Sequence, residues 1–297
     1  MTDHRHSFLP TITLSTLLMG SSFPSAAVLL ASGADALSLV TARFLVAAFV
    51  AYLVSAVFIS KTEPAIPLFH VALIGFFQTF GVMAPVHIAL AVEPPAVVAA
   101  IVFSNVLMVS GVDCVVGKRG LSRTLAVSLI LGVVGLILVT NIPSVLANRE
   151  VDNTHYGVFL SVLAAVSWAV ATLLSKRLNI SGGWHFNAQQ MIFGAALLAG
   201  VTLLLRGPTL WMPQTLSEGL WFFWLAIPAS VISFGLWFRA LSLRTATEAS
   251  AWLAAVPAFA AAIAWFSIES TLTVLQGGGM LCIVVALFLQ SRTAIEP

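Results

Sequence analysis

The chain has 297 residues, of which 60% are hydrophobic and 8% charged, with a formal net charge of +2. Soluble domains carry roughly 25% charged residues, so this composition excludes a water-soluble globular fold and points to a chain whose main solvent is lipid. Cys114 and Cys282 show no metal-ligand or disulfide pattern and read as small apolar packing residues.

Ten stretches free of Asp, Glu, Lys and Arg follow one another along the chain. They are Pro10–Ala34, Phe44–Ser60, Ile66–Val92, Pro94–Val112, Thr124–Asn148, Tyr156–Ser175, Leu178–Leu205, Gly219–Phe238, Ala249–Ile268 and Thr271–Ser291. A bilayer core of ~30 Å takes about 20 helical residues to cross. Most of these runs meet that length, and Phe44–Ser60 is short only because Arg43 interrupts a longer span. A β-barrel is excluded, because its strands alternate apolar and polar residues and these runs are apolar all round. The expected fold is an all-α membrane protein of ten transmembrane helices. No cofactor, metal or nucleic-acid partner is expected; the partners are the bilayer and a small-molecule substrate, with the chain a monomer or a dimer.

Charge placement sets the orientation. With a cytoplasmic N-terminus, the inner side receives Arg5, Lys61, Lys118, Arg119, Arg123, Lys176, Arg177, Arg244 and Arg292, and the outer side only Arg149 and Arg206. That is a positive-inside bias for both termini inside. Arg5 ahead of the first span imitates a signal peptide, but the nine spans after it and the lack of a well-formed cleavage site predict that it is retained. The longest loop, Asn141–His155, leaves no room for a soluble domain. No G-x-x-x-x-G-K-[ST] phosphate loop occurs, which excludes an ATP-driven pump acting alone.

That loop divides the chain into residues 1–148 and 149–297, five spans each. At an offset of 146 residues Leu14-Ser15, Leu17 and Ser21 match Leu160-Ser161, Leu163 and Ser167, and Ala42-Arg43 pairs with Ala188-Gln189. At an offset of 151, Ala89-Leu90 matches Ala240-Leu241. An odd number of spans per repeat forces opposite orientations, the inverted-repeat plan of secondary transporters with a site where the halves meet.

The sequence resembles the drug/metabolite transporter superfamily of the ten-helix, two-repeat type. In the first half the likeness rests on Leu18-Met19-Gly20-Ser21-Ser22-Phe23 and Ala42-Arg43-Phe44. In the second it rests on Gly157 through Arg177, Trp237-Phe238-Arg239-Ala240-Leu241, Ala249-Ser250 with Pro257 and Glu269, and Gln276-Gly277-Gly278. The fourth span departs from the family pattern, with Asn105-Val106 where a proline is common and Gly117-Lys118-Arg119 where a glutamate is common. The resemblance implies ATP-independent export or exchange of small organic metabolites in a bacterial inner membrane. In character the chain is nearest the amino-acid exporters, including those for aromatic amino acids.

Polar residues within a span are costly and face the bundle interior or a water-filled cavity. Gln78 and Asn105 lie mid-span, and each amide either meets a zwitterionic substrate or bonds a neighbouring helix for ~0.6 kcal/mol. His87 is either a proton-coupling group or a satisfied interfacial histidine. On an ideal helix of 3.6 residues per turn Gln78 and His87 take opposite faces, with Thr79 and Met83 on His87's side, unless Pro85 bends the helix. Arg43 sits two turns into span two. It is a carboxylate anchor or gate, or else it snorkels to the interface, because an Arg centred in a span costs ~2.5–3.5 kcal/mol.

Eight Trp accompany two Tyr. Trp184, Trp211, Trp221 and Trp224 fall near span ends and suit an aromatic belt. Trp168, Trp237 and Trp252 lie inside spans six, eight and nine. They either wall a cavity for flat apolar or cationic ligands or pack as bulk. Pro24, Pro85, Pro228 and Pro257 are placed to kink their helices. No carboxylate sits at mid-span, so facilitated diffusion or peripheral coupling is favoured over a buried acidic ion site.

The leading reading is a carrier with Ser22, Phe23, Gln78, Met83, His87, Asn105, Trp168, Trp237 and Trp252 as substrate-binding residues and Arg43, Pro85 and Pro257 as gate or anchor. The alternatives are an exporter of cationic drugs or other metabolites, a membrane-embedded enzyme, and a channel. Neither D-x-x-x-D, H-E-x-x-H nor G-x-S-x-G occurs to support catalysis, and no filter-like loop or charged ring supports a channel.

Overall fold

The structure, a computed structural model, describes residues 3–57, 66–116, 122–139, 153–178, 183–243, 252–269 and 272–293. Most of the Asn141–His155 connector, Lys61, Lys118, Arg119, Arg149, Arg244 and Glu248 lie outside them, as does the side chain of Cys114. Cys282 is half-buried and free.

The described residues are helical throughout, with no strand among them. Helix α1 (Asp3–Ala31) takes in Pro10 and Pro24. Its Ser21, Ser22 and Ser25 hydroxyls donate to carbonyls three or four residues back, which satisfies polar groups where no water reaches. Gly33, at φ +98°, ends the turn, a conformation that glycine takes without steric cost. Asp35 then caps α2 (Ala36–Val57) by accepting from the Ser38 N–H at 3.0 Å.

Helix α3 (Leu68–Leu90) carries a π turn, Gly75–Phe80. Helix α4 runs as Pro95–Phe103 and resumes as Asn105–Val116. Its break at Ser104 is held by the Ser104 hydroxyl donating to Ile101 O at 2.6 Å. Helices α5 (Arg123–Val139), α6 (Asn153–Arg177) and α7 (Trp184–Arg206) follow. Helix α8 begins at Leu216 behind a Thr215 cap and reaches Leu243 through a second π turn, Ile227–Ile232. A 3-10 turn, Leu253–Ala255, leads into α9 (Val256–Ile268), and α10 spans Val274–Thr293.

Among the described residues, seven helices are long and apolar enough to cross a membrane: α1 to α4 and α6 to α8. The apolar parts of α5, α9 and α10 are shorter, at Arg123–Val139, Val256–Ile268 and Val274–Leu289. The chain is a multi-pass membrane protein.

Packing follows a pattern. Helix α1 packs on α8 and α9, while α6 packs on α3 and α4; α2 pairs with α7, and α5 with α10. Exchanging the first five helices with the last five leaves these pairings in place. One end of the α2–α7 pair is clasped by polar groups. Arg206 pairs with Asp35 at 3.0 Å, Thr41 and Thr202 share a hydrogen bond at 2.7 Å, and the Ser38 hydroxyl donates to Thr209 O at 3.3 Å.

Three positions differ from the sequence expectations. Pro257 sits in the first turn of α9, behind the 3-10 turn, and not inside a continuous helix; a first-turn proline removes no helical hydrogen bond. Trp184 lays its ring on α8, where a Cβ at Gly235 would lie 2.0 Å from the indole. Trp224 turns its indole N–H to the Ser21 hydroxyl at 2.9 Å. These last two indoles therefore tie helices together as well as standing near helix ends.

Candidate functional site

The site begins with an arginine that does not reach the interface. Arg43, two turns into α2, is 2% exposed. Its Nε–H donates to the Ser230 hydroxyl at 2.9 Å, and Nη1 approaches His87 Nε2 at 3.4 Å. Its guanidinium carbon stands 5.0 Å from the centre of the Phe44 ring. Snorkelling is thus replaced by internal bonding, because α8 offers a hydroxyl within the bundle and the interface lies farther off.

Two local features present these partners. The π turn of α8 carries Ser230, whose hydroxyl also donates to Leu225 O, five residues back, at 2.8 Å. π turns widen the helix by one residue per turn and re-aim side chains. On α3, the His87 ring lies against the preceding turn with Nδ1 2.8 Å from Met83 O. A guanidinium only donates, so Nε2 must accept from Arg43 and Nδ1–H must donate to Met83 O. That arrangement requires the neutral ring.

Arg43 opens onto a cavity of about 20 Å³, room for about one water molecule. Its wall comes from α1 (Met19, Ser22, Phe23), α2 (Arg43), α3 (Val82, Met83, Val86, Leu90), α4 (Val102, Phe103), α6 (Trp168) and α8 (Ala229, Phe234). The aromatic part is a continuous stack. Phe23 meets Phe103 edge-on at 6.0 Å, Phe103 meets Trp168 at 4.9 Å, and Trp168 meets Phe234 at 6.4 Å. Such contacts add about 0.5–1.5 kcal/mol each beyond area burial.

Of the residues predicted from sequence, Ser22, Phe23, Arg43, Met83 and Trp168 share this wall. The others do not line it. His87 is fully buried behind Arg43. Asn105 bonds its own helix, donating to Val102 O at 2.9 Å. Gln78 is buried within the π turn of α3. Trp237 is buried, Trp252 precedes the 3-10 turn of α9, and Pro85 and Pro257 are buried within α3 and α9. Sequence reasoning missed Met19, Phe103, Phe234 and Ser230. An apolar residue in an apolar helix carries no signal of direction, and Ser230 was legible only as one more intramembrane polar group.

A second polar cluster lies between α3 and α7. The Thr79 hydroxyl donates to Gln190 Oε1 at 2.6 Å, and Gln190 Nε2 donates to Asn187 Oδ1 at 3.1 Å. Here the helices touch backbone to backbone. A Cβ on Gly194 would lie 2.2 Å from Thr79 Cβ, and one on Gly75 would lie 2.6 Å from Gln190 O.

Comparison with other proteins places the second half most firmly. The EamA-like transporter family matches residues 155–292. An uncharacterized transporter of Clostridium kluyveri is 24% identical over 169 residues, which is 57% of this chain and 54% of that protein; the chain thus matches about half the length of this curated relative. A solved crystal structure of a protein superposes with a TM-score of 0.70 over 98% of this chain and 99% of its own, at 18% identity. At that identity the likeness is one of fold.

Proposed function

We propose, from the match of residues 155–292 to the EamA-like transporter family, that the chain is a secondary carrier that exports or exchanges small carboxylate-bearing metabolites, amino acids with aromatic or apolar side chains among them, across a bacterial inner membrane. Transport proceeds by alternating access around the cavity bounded by α1 to α4, α6 and α8. The single observation that carries this reading is the composition of the wall. One buried guanidinium and a stack of aromatic rings face the same space, and both halves of the chain contribute to it.

The chemistry follows from those groups. Arg43 fixes a carboxylate by paired N–H bonds, which suit its planar fork. Phe23, Phe103, Trp168 and Phe234 take up the apolar body. A cationic drug fits poorly beside a fixed positive charge.

The two-repeat plan, residues 1–148 against 149–297, is supported by the helix pairings that survive exchange of the halves and by the π turns in α3 and α8. A cavity with room for one water holds no amino acid, so α1, α6 and the helices around them must separate to admit a substrate. Opening by rocking one half against the other is the motion that inverted repeats provide.

Counterflow in proteoliposomes tests the reading. Saturable uptake of a labelled amino acid, accelerated by unlabelled substrate inside, is the expected result. Uptake that stays linear with concentration and is indifferent to internal substrate indicates a channel, and conversion of the probe indicates an enzyme.

A further inference from the structure

We infer that the cavity is built for a net anion, so that a carboxylate with an aromatic or branched apolar body and no ammonium group, such as an aryl 2-oxo or 2-hydroxy acid, binds in preference to the matching amino acid. This rests on the reading of the cavity as the transport site.

The reasoning is a count of charges and donors. Arg43 has five N–H groups. One meets Ser230 and one points to His87. The two on Nη2 and one on Nη1 have no protein acceptor among the described residues. Nη1 and Nη2 together form an edge of the guanidinium that suits a bidentate carboxylate.

Among the described residues no acid is paired with Arg43. Its two polar partners are a hydroxyl and a neutral imidazole. No acid lines the cavity. Asp35 is engaged with Arg206, and Glu218 with the N–H of Gln214. A buried charge is stable when paired, and a monoanion beside Arg43 supplies that pair.

A zwitterion brings its own cation into the same space and leaves the site with a net positive charge. An ammonium also finds few acceptors there. The Ser22 oxygen, whose own proton goes to Met19 O at 2.7 Å, is the one side-chain acceptor among the residues that line the cavity.

The test uses one phenyl ring with four head groups: phenylpyruvate, phenyllactate, phenylalanine and phenethylamine. Each is titrated against the purified protein, following the rise in melting temperature, and then offered in proteoliposome counterflow. The two acids are expected to stabilise at roughly tenfold lower concentration than phenylalanine, the scale of one hydrogen bond to a charged group, with no stabilisation by the amine. Arg43→Gln is expected to erase the advantage of the acids. If that variant does not fold, the ranking on the unaltered protein still decides. Equal or tighter binding of phenylalanine overturns the inference, and so does a lack of binding by all four probes. Binding of the acids without counterflow leaves the anion preference standing and removes the carrier reading. Counterflow of phenylalanine at the acids' concentrations keeps the carrier and removes the preference.

Discussion

The two π turns put the same backbone device to opposite uses. Each lies in the third helix of its half and meets the second helix of the other half: α3 against α7, and α8 against α2. At the α3–α7 seam Gly75 and Gly194 let the backbones touch, and Thr79, Gln190 and Asn187 form a neutral chain of hydrogen bonds. At the α8–α2 seam the π turn supplies Ser230 to a buried cation beside a cavity. Counting on from the first π turn to the second, Gly75 falls opposite Ile227. The lesson is that one seam is closed by small residues and neutral amides, while its counterpart is held apart by larger side chains and a charge. On the proposed carrier reading, the first seam is the pivot and the second the site.

Four changes sharpen or break that contrast, in order of expected size. Gly194→Leu forces a side chain into Thr79, and overpacking of this kind costs about 1–3 kcal/mol or more. The melting temperature should fall by several degrees or the yield collapse, and an unchanged melting curve would mean the seam is looser than its contacts. Arg43→Met should do the reverse. Counterflow at low substrate should drop by roughly 10- to 100-fold, since a hydrogen bond to a charged group is worth about 1.5–3 kcal/mol, while thermal stability holds or rises because a buried charge is gone.

Trp168→Ala removes two ring contacts worth about 0.5–1.5 kcal/mol each and widens the cavity. Competition assays should show aromatic substrates weakened several-fold more than small aliphatic ones, and a uniform loss would place Trp168 outside the binding surface. The smallest effect is expected from Ser230→Ala. It frees Arg43 Nε of its partner at a cost of about 1–3 kcal/mol for an unsatisfied donor, softened by the nearby cavity. The Michaelis constant should rise a few-fold at constant maximal rate.

The helices were legible because hydropathy is a local property. The described parts of the apolar runs lie mostly in α1 to α10, with ends that shift by several residues; α1, for instance, begins at Asp3 before the apolar stretch. Arg43 and Trp168 were legible because a charge or an indole inside a span asks for a reason. The facing of Gln78 and His87 was not. Face arithmetic assumes 3.6 residues per turn, and Gln78 sits inside the π turn that breaks that period. Asn105 was legible as polar but not as the residue following a helix break, where its amide bonds Val102 O. Phe103 and Phe234 were silent, because only the meeting of α4, α6 and α8 makes them neighbours.

The narrowness of the cavity has an electrical consequence. A cavity with room for about one water molecule, walled by four aromatic rings, offers no column of water for ions to follow. The fixed guanidinium adds a barrier to protons and metal cations, as positive groups do in other selective pores. On the carrier reading, many idle copies of this protein can then sit in a membrane without shunting its potential.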